Sequence, residues 1–317
     1  MSVARILVTG AGGFIGRTLC RGLAARGQAV IAGLRGGLAA GALPVEGAEP
    51  RILGAIVPGR DWSGVLGDVD IVIHLAQMAH RRRAARHVLA GEPEAAATLA
   101  RGIAQAGGHR LFYMSSIKAM GEATPPGRAF RADDPLRPED AYGRAKLASE
   151  RALAAVASET GLELVILRPP LVYGPGVGGN FRALVRLAGS GLPLPFAALD
   201  NRRSLIFLDN LVDLVAVAAL HRAAAGRVLL AADGVDLSTP ALIRILAQGQ
   251  GRVARLFAMP DAVFAALRRL PTLGPAVDRL SLSLQVDDGA TRAALGWSPP
   301  FAAEAGLLAT ARAVAAR

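Results

Sequence analysis

The chain has 317 residues, of which 52% are hydrophobic, and it carries a formal net charge of +11. This composition excludes a disordered chain, and the length allows one large α/β domain or two smaller lobes with a substantial core. The single cysteine excludes an internal disulfide, and no apolar run approaches the roughly 18 uninterrupted residues of a membrane helix. Because Met1 is followed almost directly by a strand-like pattern, we expect a cytoplasmic protein with no membrane attachment.

The positive charge comes almost entirely from arginine, since lysine occurs only as Lys118 and Lys146 among the 36 basic residues. The arginines are spread along the chain, which indicates a compositional bias rather than a nucleic-acid surface. One cluster at residues 80–86 lacks aromatic neighbours for base stacking. That cluster is either a solvated helix start or a patch for an anionic ligand, and we expect no nucleic-acid partner.

Strand-like and helix-like segments alternate along the first half of the chain. Strand-like runs occupy residues 4–10, 29–35, 51–53, 68–76, 110–116 and 162–170. Helix-like runs occupy residues 13–27, about 84–106 and 141–160. The alternation predicts an α/β fold, a Rossmann-type doubly wound parallel sheet with helices on both faces. We predict a nucleotide-binding lobe at residues 1–168 and a smaller C-terminal substrate-binding lobe, partly interleaved with it, at residues 169–317.

A glycine-rich turn joins the first predicted strand to the first predicted helix. In "TGAGGFIG" (9–16), Gly10, Gly13 and Gly16 recur every three residues. Glycines at these places allow the backbone to turn sharply and to approach a pyrophosphate, whose charge lies at the helix N-terminus. The strand before and the helix after the turn make it a strong indication of a dinucleotide site.

The end of the second predicted strand bears on which dinucleotide binds there. A site for NAD usually places an acidic residue about 20 residues past the glycines, where it binds the ribose 2′-hydroxyl. This chain has "AGLRGG" (32–37) there, without a carboxylate and with Arg35. Arginine binds a 2′-phosphate through charge-assisted bonds, so the sequence favours NADP over NAD. An exposed arginine with no ligand is the alternative.

A serine, a tyrosine and a lysine form a candidate catalytic set. Ser116 ends the predicted strand at 110–116, and Tyr142 and Lys146 are one helical turn apart. A tyrosine has an ordinary pKa of about 10, and a nearby ammonium together with a positive nicotinamide ring favours its phenolate. Tyr142 would then exchange a proton with a substrate oxygen that Ser116 also holds, while Lys146 supplies the cation.

Over nearly its whole length the chain resembles the extended short-chain dehydrogenase/reductase family, and within it the NAD-dependent epimerase/dehydratase branch. The resemblance is carried by the glycine turn, Ser116, the Tyr142–Lys146 pair, "HLA" (74–76) and "RPPLVYGPG" (168–176). It implies that a set of residues around the turn and the catalytic helix lines the cofactor site. This set comprises Gly10, Gly13, Phe14, Ile15, Gly16, Arg35, Leu75, Ala76, Tyr142 and Lys146.

Further motifs resemble the subgroup of UDP-sugar 4-epimerases and 4-ketohexose reductases, whose members act on nucleotide sugars. These motifs are "GGNF" (178–181), "PLPF" (193–196), "NRRSLIFLDNLVD" (201–213) and "LGWSPP" (295–300). The resemblance implies that Asn180 and Arg203 hold a nucleotide diphosphate, with Arg279 as a third candidate, while Ser116 contacts the sugar. It also implies a homodimer formed through the helices at 84–106 and 141–160.

The chain departs from the family pattern at three places. Ala55 replaces a residue that would contact adenine, and residues 91–100 lack the usual Asn and Gly-Thr beside the catalytic lysine. Ile117 and Lys118 occupy the place of the acid pair of the 4,6-dehydratases. Without a carboxylate pair the dehydration step has no acid or base, so we do not expect a dehydratase.

Three functions remain open from the sequence. The first expectation is a UDP-4-keto-6-deoxy-hexosamine 4-reductase using NADPH, which Arg35 favours although the motifs themselves do not separate it from an epimerase. A UDP-sugar 4-epimerase uses the same three catalytic residues and is the first alternative. A non-catalytic cofactor-binding regulator, or a nucleic-acid-binding relative, is the distant alternative, motivated by the basic charge and by the departures near Ala55 and at residues 91–100.

Overall fold

A computed structural model of the chain describes residues 3–36, 45–76, 86–125, 127–270, 272 and 274–316, with only the backbone described for residues 86–88 and 261. The basic cluster at 80–86 therefore lies outside the described residues except for its last member. No helix within these ranges is long and apolar enough to cross a membrane.

A seven-stranded, fully parallel sheet forms the centre of the molecule. Its strands are β1 (Arg5–Thr9), β2 (Ala29–Leu34), β3 (Ala48–Ile52), β4 (Ile71–His74), β5 (Arg110–Met114), β6 (Glu163–Arg168) and β9 (Val228–Leu230). Their order is β3-β2-β1-β4-β5-β6-β9, and every neighbouring pair is parallel. The prediction of a doubly wound parallel sheet is confirmed. The two remaining strands, β7 (Leu171–Tyr173) and β8 (Leu205–Phe207), pair in parallel as a second small sheet.

Eleven α-helices lie within the described residues. They are α1 (Phe14–Ala24), α2 (Ser63–Leu66), α3 (Arg86–Gln105), α4 (Ala141–Thr160), α5 (Gly179–Ala188), α6 (Leu208–Leu220), α7 (Thr239–Gln248), α8 (Asp261–Arg268), α9 (Gly274–Ser281), α10 (Gly289–Leu295) and α11 (Ala303–Ala315). Two short 3₁₀ turns occupy Ile117–Ala119 and Arg222–Ala224. The sequence did not predict α2, which has four residues.

Both faces of the main sheet are buried at its central strands, which explains why these strands read as continuous apolar runs, whereas the edge strand β3 is largely exposed. In β1, Ile6 and Val8 point into the core beneath α1 and α6, whereas Leu7 points into the core beneath α3 and α4. All three side chains are fully buried. The sheet is thus fixed from two sides, so the ends of its strands are rigid supports for a site.

The C-terminal part of the chain contributes to both lobes. α5, α7 and α11 pack around β7 and β8 in a separate apolar core. β9, in contrast, pairs with β6 in the main sheet, and α6 covers one face of that sheet. The division at residue 168 stays a prediction, and β9 and α6 are the segments that cross it.

A buried polar network joins the two sheets. Tyr173 in β7 donates its hydroxyl hydrogen bond to Asp233 Oδ2 at 2.6 Å. Asn210 Nδ2 donates to Asp233 Oδ1 at 2.8 Å, and the Phe207 backbone N–H donates to the same carboxylate. Burial raises the pKa of Asp233, while the bonds from Tyr173 and Asn210 lower it. One carboxylate thus holds the end of β7 and the start of α6 beside the main sheet.

Candidate active site

The candidate site lies at the carboxyl edge of the main sheet, where the strand order reverses. From β1 the chain crosses to β2 on one side, while β4 follows on the other side. In open α/β sheets, ligands bind at such a switch point. Gly10 follows β1, Leu75 and Ala76 follow β4, and Ser116 follows β5. The topology therefore brings the predicted cofactor and catalytic segments to one edge.

The glycine turn is shaped by close backbone approaches. Gly10 has φ +72°, and a Cβ there would lie 3.0 Å from the backbone of Ala76. A Cβ on Gly16 would collide with the backbone of Gly10. Gly13 caps α1 without a side-chain hydrogen bond, so the first backbone N–H groups of the helix have no side-chain acceptor. This geometry fits a dinucleotide pyrophosphate at the start of α1.

Neighbouring residues complete this half of the site. Phe14 and Ile15 are partly buried at the start of α1, and Phe14 packs against the cores of both lobes. Arg35 is exposed directly after β2, where the sequence predicts the ribose to lie. The exposed guanidinium is compatible both with a 2′-phosphate contact and with no ligand contact.

A threonine hydroxyl fixes the end of β4 beside the glycine turn. Thr9 Oγ1 accepts hydrogen bonds from the backbone N–H groups of Leu75 at 3.2 Å and Ala76 at 3.1 Å. Its own hydrogen is then donated to His74 Nδ1, 2.8 Å away, which leaves the imidazole with its proton on Nε2. Burial lowers the pKa of His74 to about 3, and the charge of Lys146 lowers it as well. His74 is therefore a neutral, packed residue.

The three candidate catalytic residues come together at the ends of β5 and α4. Lys146 is buried, and its Nζ lies 5.4 Å from the centroid of the Tyr142 ring and 5.2 Å from that of Tyr113. Lys146 Nζ also donates to the Met114 carbonyl at 2.9 Å. The Ser116 side chain is close enough to the Tyr142 hydroxyl to lower its pKa. The structure thus places Ser116, Tyr142 and Lys146 in one cluster, with the lysine on the inner side.

Burial dominates the acid–base character of this cluster. It lowers the pKa of Lys146 to about 7, while the charges of Glu92 and Glu150 raise it. Burial raises the pKa of the Tyr142 hydroxyl above its ordinary value, Glu92 and Asp140 raise it further, and the Ser116 side chain lowers it. The protein's own ammonium therefore does not by itself favour the phenolate. The sequence-based expectation combined that ammonium with a positive nicotinamide ring, and such a ring would add positive charge beside Tyr142.

Sequence reasoning missed Glu92. It lies in α3, which packs along α4, and it acts electrostatically on both Tyr142 and Lys146. The available signal was a carboxylate in the segment 91–100, where the family resemblance led us to expect an asparagine. A charged residue in that segment takes part in setting the protonation of the site.

The substrate-binding candidates lie in the second lobe and its neighbourhood. Arg203 is mostly buried and donates from Nη1 to the Leu282 carbonyl at 3.0 Å. Burial lowers the pKa of Arg203, and so does the charge of Arg279, which is exposed on α9. Two guanidinium groups near each other form a natural site for a doubly charged anion. Asn180 is exposed in the first turn of α5.

Comparisons with known proteins agree with this geometry. Residues 6–232 match the model of the NAD dependent epimerase/dehydratase family. A UDP-glucose 4-epimerase of Vibrio cholerae is 35% identical over 314 residues, covering 97% of this chain and 94% of its own. The UDP-glucuronic acid 4-epimerase of Bacillus cereus, solved in complex with NAD, superposes with a TM-score of 0.76 at 21% identity, covering 98% of each chain.

Another solved structure, RMD from Pseudomonas aeruginosa in complex with NADPH, has a TM-score of 0.72 at 21% identity, covering 99% of this chain and 100% of that one. At these identities the solved structures show the fold, whereas the family match and the Vibrio relative identify the lineage. The resemblance predicted from the motifs is confirmed. The chain belongs to the NAD dependent epimerase/dehydratase family and is an NAD(P)-dependent oxidoreductase of the extended short-chain dehydrogenase/reductase type.

Proposed function

We propose that the protein is a 4-epimerase of a UDP-linked hexose. The observation that carries this proposal is the cluster of Ser116, Tyr142 and Lys146 at the same carboxyl edge of the sheet as the glycine turn. The extensive similarity to a UDP-glucose 4-epimerase supports the substrate class and the reaction. The arginine pair Arg203 and Arg279 supports a diphosphate-linked substrate.

Each residue of the cluster has a role in this reaction. A bound nicotinamide dinucleotide supplies the chemistry of hydride removal from C4 and hydride return to the opposite face. Tyr142 takes the proton from the C4 hydroxyl as the C4–H bond breaks, and it returns that proton to the same oxygen when the C–H bond forms again. Ser116 donates to that oxygen and keeps it beside Tyr142. Lys146 places a cation behind the tyrosine ring.

The main-chain geometry at the glycine turn and the Thr9 contacts support the way the cofactor is held. Gly10, Gly13 and Gly16 would accept the pyrophosphate, while Leu75 and Ala76 would line the cleft from the opposite strand. Arg35 is the residue that would bind a 2′-phosphate, and we propose on that ground that NADP is accepted as well as NAD. The homodimer through α3 and α4 stays a prediction.

A UDP-4-keto-6-deoxy-hexosamine 4-reductase is the second candidate, and the exposed Arg35 favours it because a reductase would use NADPH. In this reaction a hydride is delivered to the C4 carbonyl carbon, and Tyr142 protonates the oxygen. The two reactions differ in whether they consume reduced cofactor. Epimerisation leaves the cofactor unchanged, whereas reduction consumes reduced cofactor in proportion to product.

The deciding experiment offers both substrates to the purified protein. UDP-glucose with NAD should yield UDP-galactose, detected by chromatography, with no net change in the absorbance of reduced nicotinamide. UDP-4-keto-6-deoxy-N-acetylglucosamine with NADPH should show no stoichiometric loss of that absorbance. Loss of the absorbance together with no UDP-galactose would overturn the epimerase in favour of the reductase. Turnover of neither substrate would overturn both.

A further inference from the structure

Lys118 and Asp140 form an ion pair beside the catalytic tyrosine. Lys118 Nζ lies 2.7 Å from Asp140 Oδ2 and 3.0 Å from Glu122 Oε1. The Lys118 side chain is about one-third exposed, with a relative accessibility of 34%. The pair is therefore partly exposed to solvent and does not lie within the apolar core.

Each residue of this pair also hydrogen-bonds with a segment that carries a candidate catalytic residue. Asp140 is the N-cap of α4, and its Oδ1 accepts a hydrogen bond from the Gly143 backbone N–H at 2.6 Å. The Lys118 backbone N–H donates to Ser116 Oγ at 3.2 Å. A Cβ on Gly143 would collide with the Lys118 carbonyl oxygen, so the first turn of α4 rests directly on this backbone. Tyr142 belongs to that same first turn, between Asp140 and Gly143 in the sequence.

The residue type itself is informative. Only two of the 36 basic residues are lysines, and both lie at this site. An ammonium is a compact cation with three donors, and here it lies between two carboxylates that each accept through one oxygen. A planar guanidinium on a longer side chain would push Asp140 away from the cap. In a chain that otherwise uses arginine, a lysine at position 118 indicates a geometric requirement.

We propose that Lys118 is a positioning residue for Tyr142, because it fixes the first turn of α4 against the Ser116 segment and neutralises the carboxylate that caps that turn. This inference rests on the proposed function only in assigning the acid–base role to Tyr142. Its structural part, the cation between Ser116 and the helix cap, is independent of the substrate.

The electrostatic consequence can be worked out from the charges around Tyr142. Within the part of the chain that the structure describes, those charges are Glu92 on α3, Asp140 at the helix cap and Lys146 one turn further along α4. Asp140 raises the pKa of Tyr142, and Lys118 offsets the charge of Asp140. Removal of the ammonium should therefore raise the pKa of Tyr142 further. Removal of the carboxylate should lower it while an amide still caps the helix.

The test compares four variants in the epimerase assay over a range of pH. Lys118→Met should lower kcat by about 10-fold through misplacement of Tyr142 and should move the rise of kcat/KM to higher pH. Asp140→Asn should move the same rise to lower pH. Lys118→Arg keeps the charge, so the rise should stay near its wild-type pH while kcat still falls. Arg51→Met removes an ion pair with Asp68, away from the site, and should leave the pH profile unchanged.

Opposite shifts for Lys118→Met and Asp140→Asn support the proposal, since a loss of stability alone would not move the two profiles in opposite directions. Unchanged profiles, or shifts in the same direction, would overturn it. Tyr142→Phe separates the two levels of inference. If that variant retains full activity, the proposed function fails. If it is inactive while Lys118→Met behaves as the wild type, only the role of Lys118 fails.

Discussion

Replacement of Glu150 by glutamine should destabilise the protein strongly. Glu150 and Arg168 are only 4% and 3% exposed, and Arg168 donates from Nε at 3.0 Å and from Nη2 at 2.6 Å to the two carboxylate oxygens. Ser115 donates to the same carboxylate. The substitution leaves the Arg168 charge buried without a counter-ion, which costs about 3–5 kcal/mol. Exposed pairs contribute only about 0–1 kcal/mol, so Asp200→Asn, which removes the carboxylate of the exposed pair with Arg202, is the matched control.

Equilibrium unfolding in urea, followed by tryptophan fluorescence, measures this loss. Trp62 lies in the core beneath α3 and Trp297 in the core beneath α6, so the two indoles report on both faces of the sheet. The double variant Glu150→Met with Arg168→Met should recover most of the stability, because it removes both charges together. A loss below about 1 kcal/mol for Glu150→Gln would refute the reasoning from the buried pair.

Three further outcomes are expected. Thr9→Val should lower the free energy of unfolding by about 1–3 kcal/mol, because two backbone N–H groups lose their acceptor and His74 loses its donor. It should also weaken dinucleotide binding in calorimetry, and an unchanged affinity would contradict this role. Arg203→Ala should raise KM for a UDP-sugar more than it lowers kcat, and an equal fall of kcat and kcat/KM would contradict a binding role. Stability should fall as pH falls from about 6.5 to about 3, because unfolded His74 takes up a proton that the buried imidazole refuses. His74→Gln should flatten the dependence of the free energy of unfolding on pH in this range. An unchanged slope would contradict the role assigned to His74.

The arrangement of the sheet and the cofactor turn could be predicted from local patterns. The apolar runs at 4–10 and 68–76 match β1 and β4 because both faces of a parallel sheet are buried. The run at 68–76 was predicted too long, since β4 covers only Ile71–His74 and Asp68 lies in a turn before it. The glycine spacing predicted the turn because only glycine permits the close approach of Gly10 to Ala76.

The protonation of the site could not be predicted in the same way. Spacing along α4 indicated that Tyr142 and Lys146 share a face, but it did not reveal how deeply the lysine is buried or that Glu92 approaches from α3. Both depend on helix packing between segments that are distant in sequence. The Lys118–Asp140 pair was missed for the same reason, since the two residues are brought together only by the loop between β5 and α4.

Isotope transfer at C4 tests the central claim most directly. Wild-type protein should convert UDP-glucose that carries deuterium at C4 into UDP-galactose that retains the label at C4, because the hydride removed from that carbon is the one returned to it. Tyr142→Phe should bind the same UDP-sugar but give no product. Product without the label, or full conversion by Tyr142→Phe, would contradict the account.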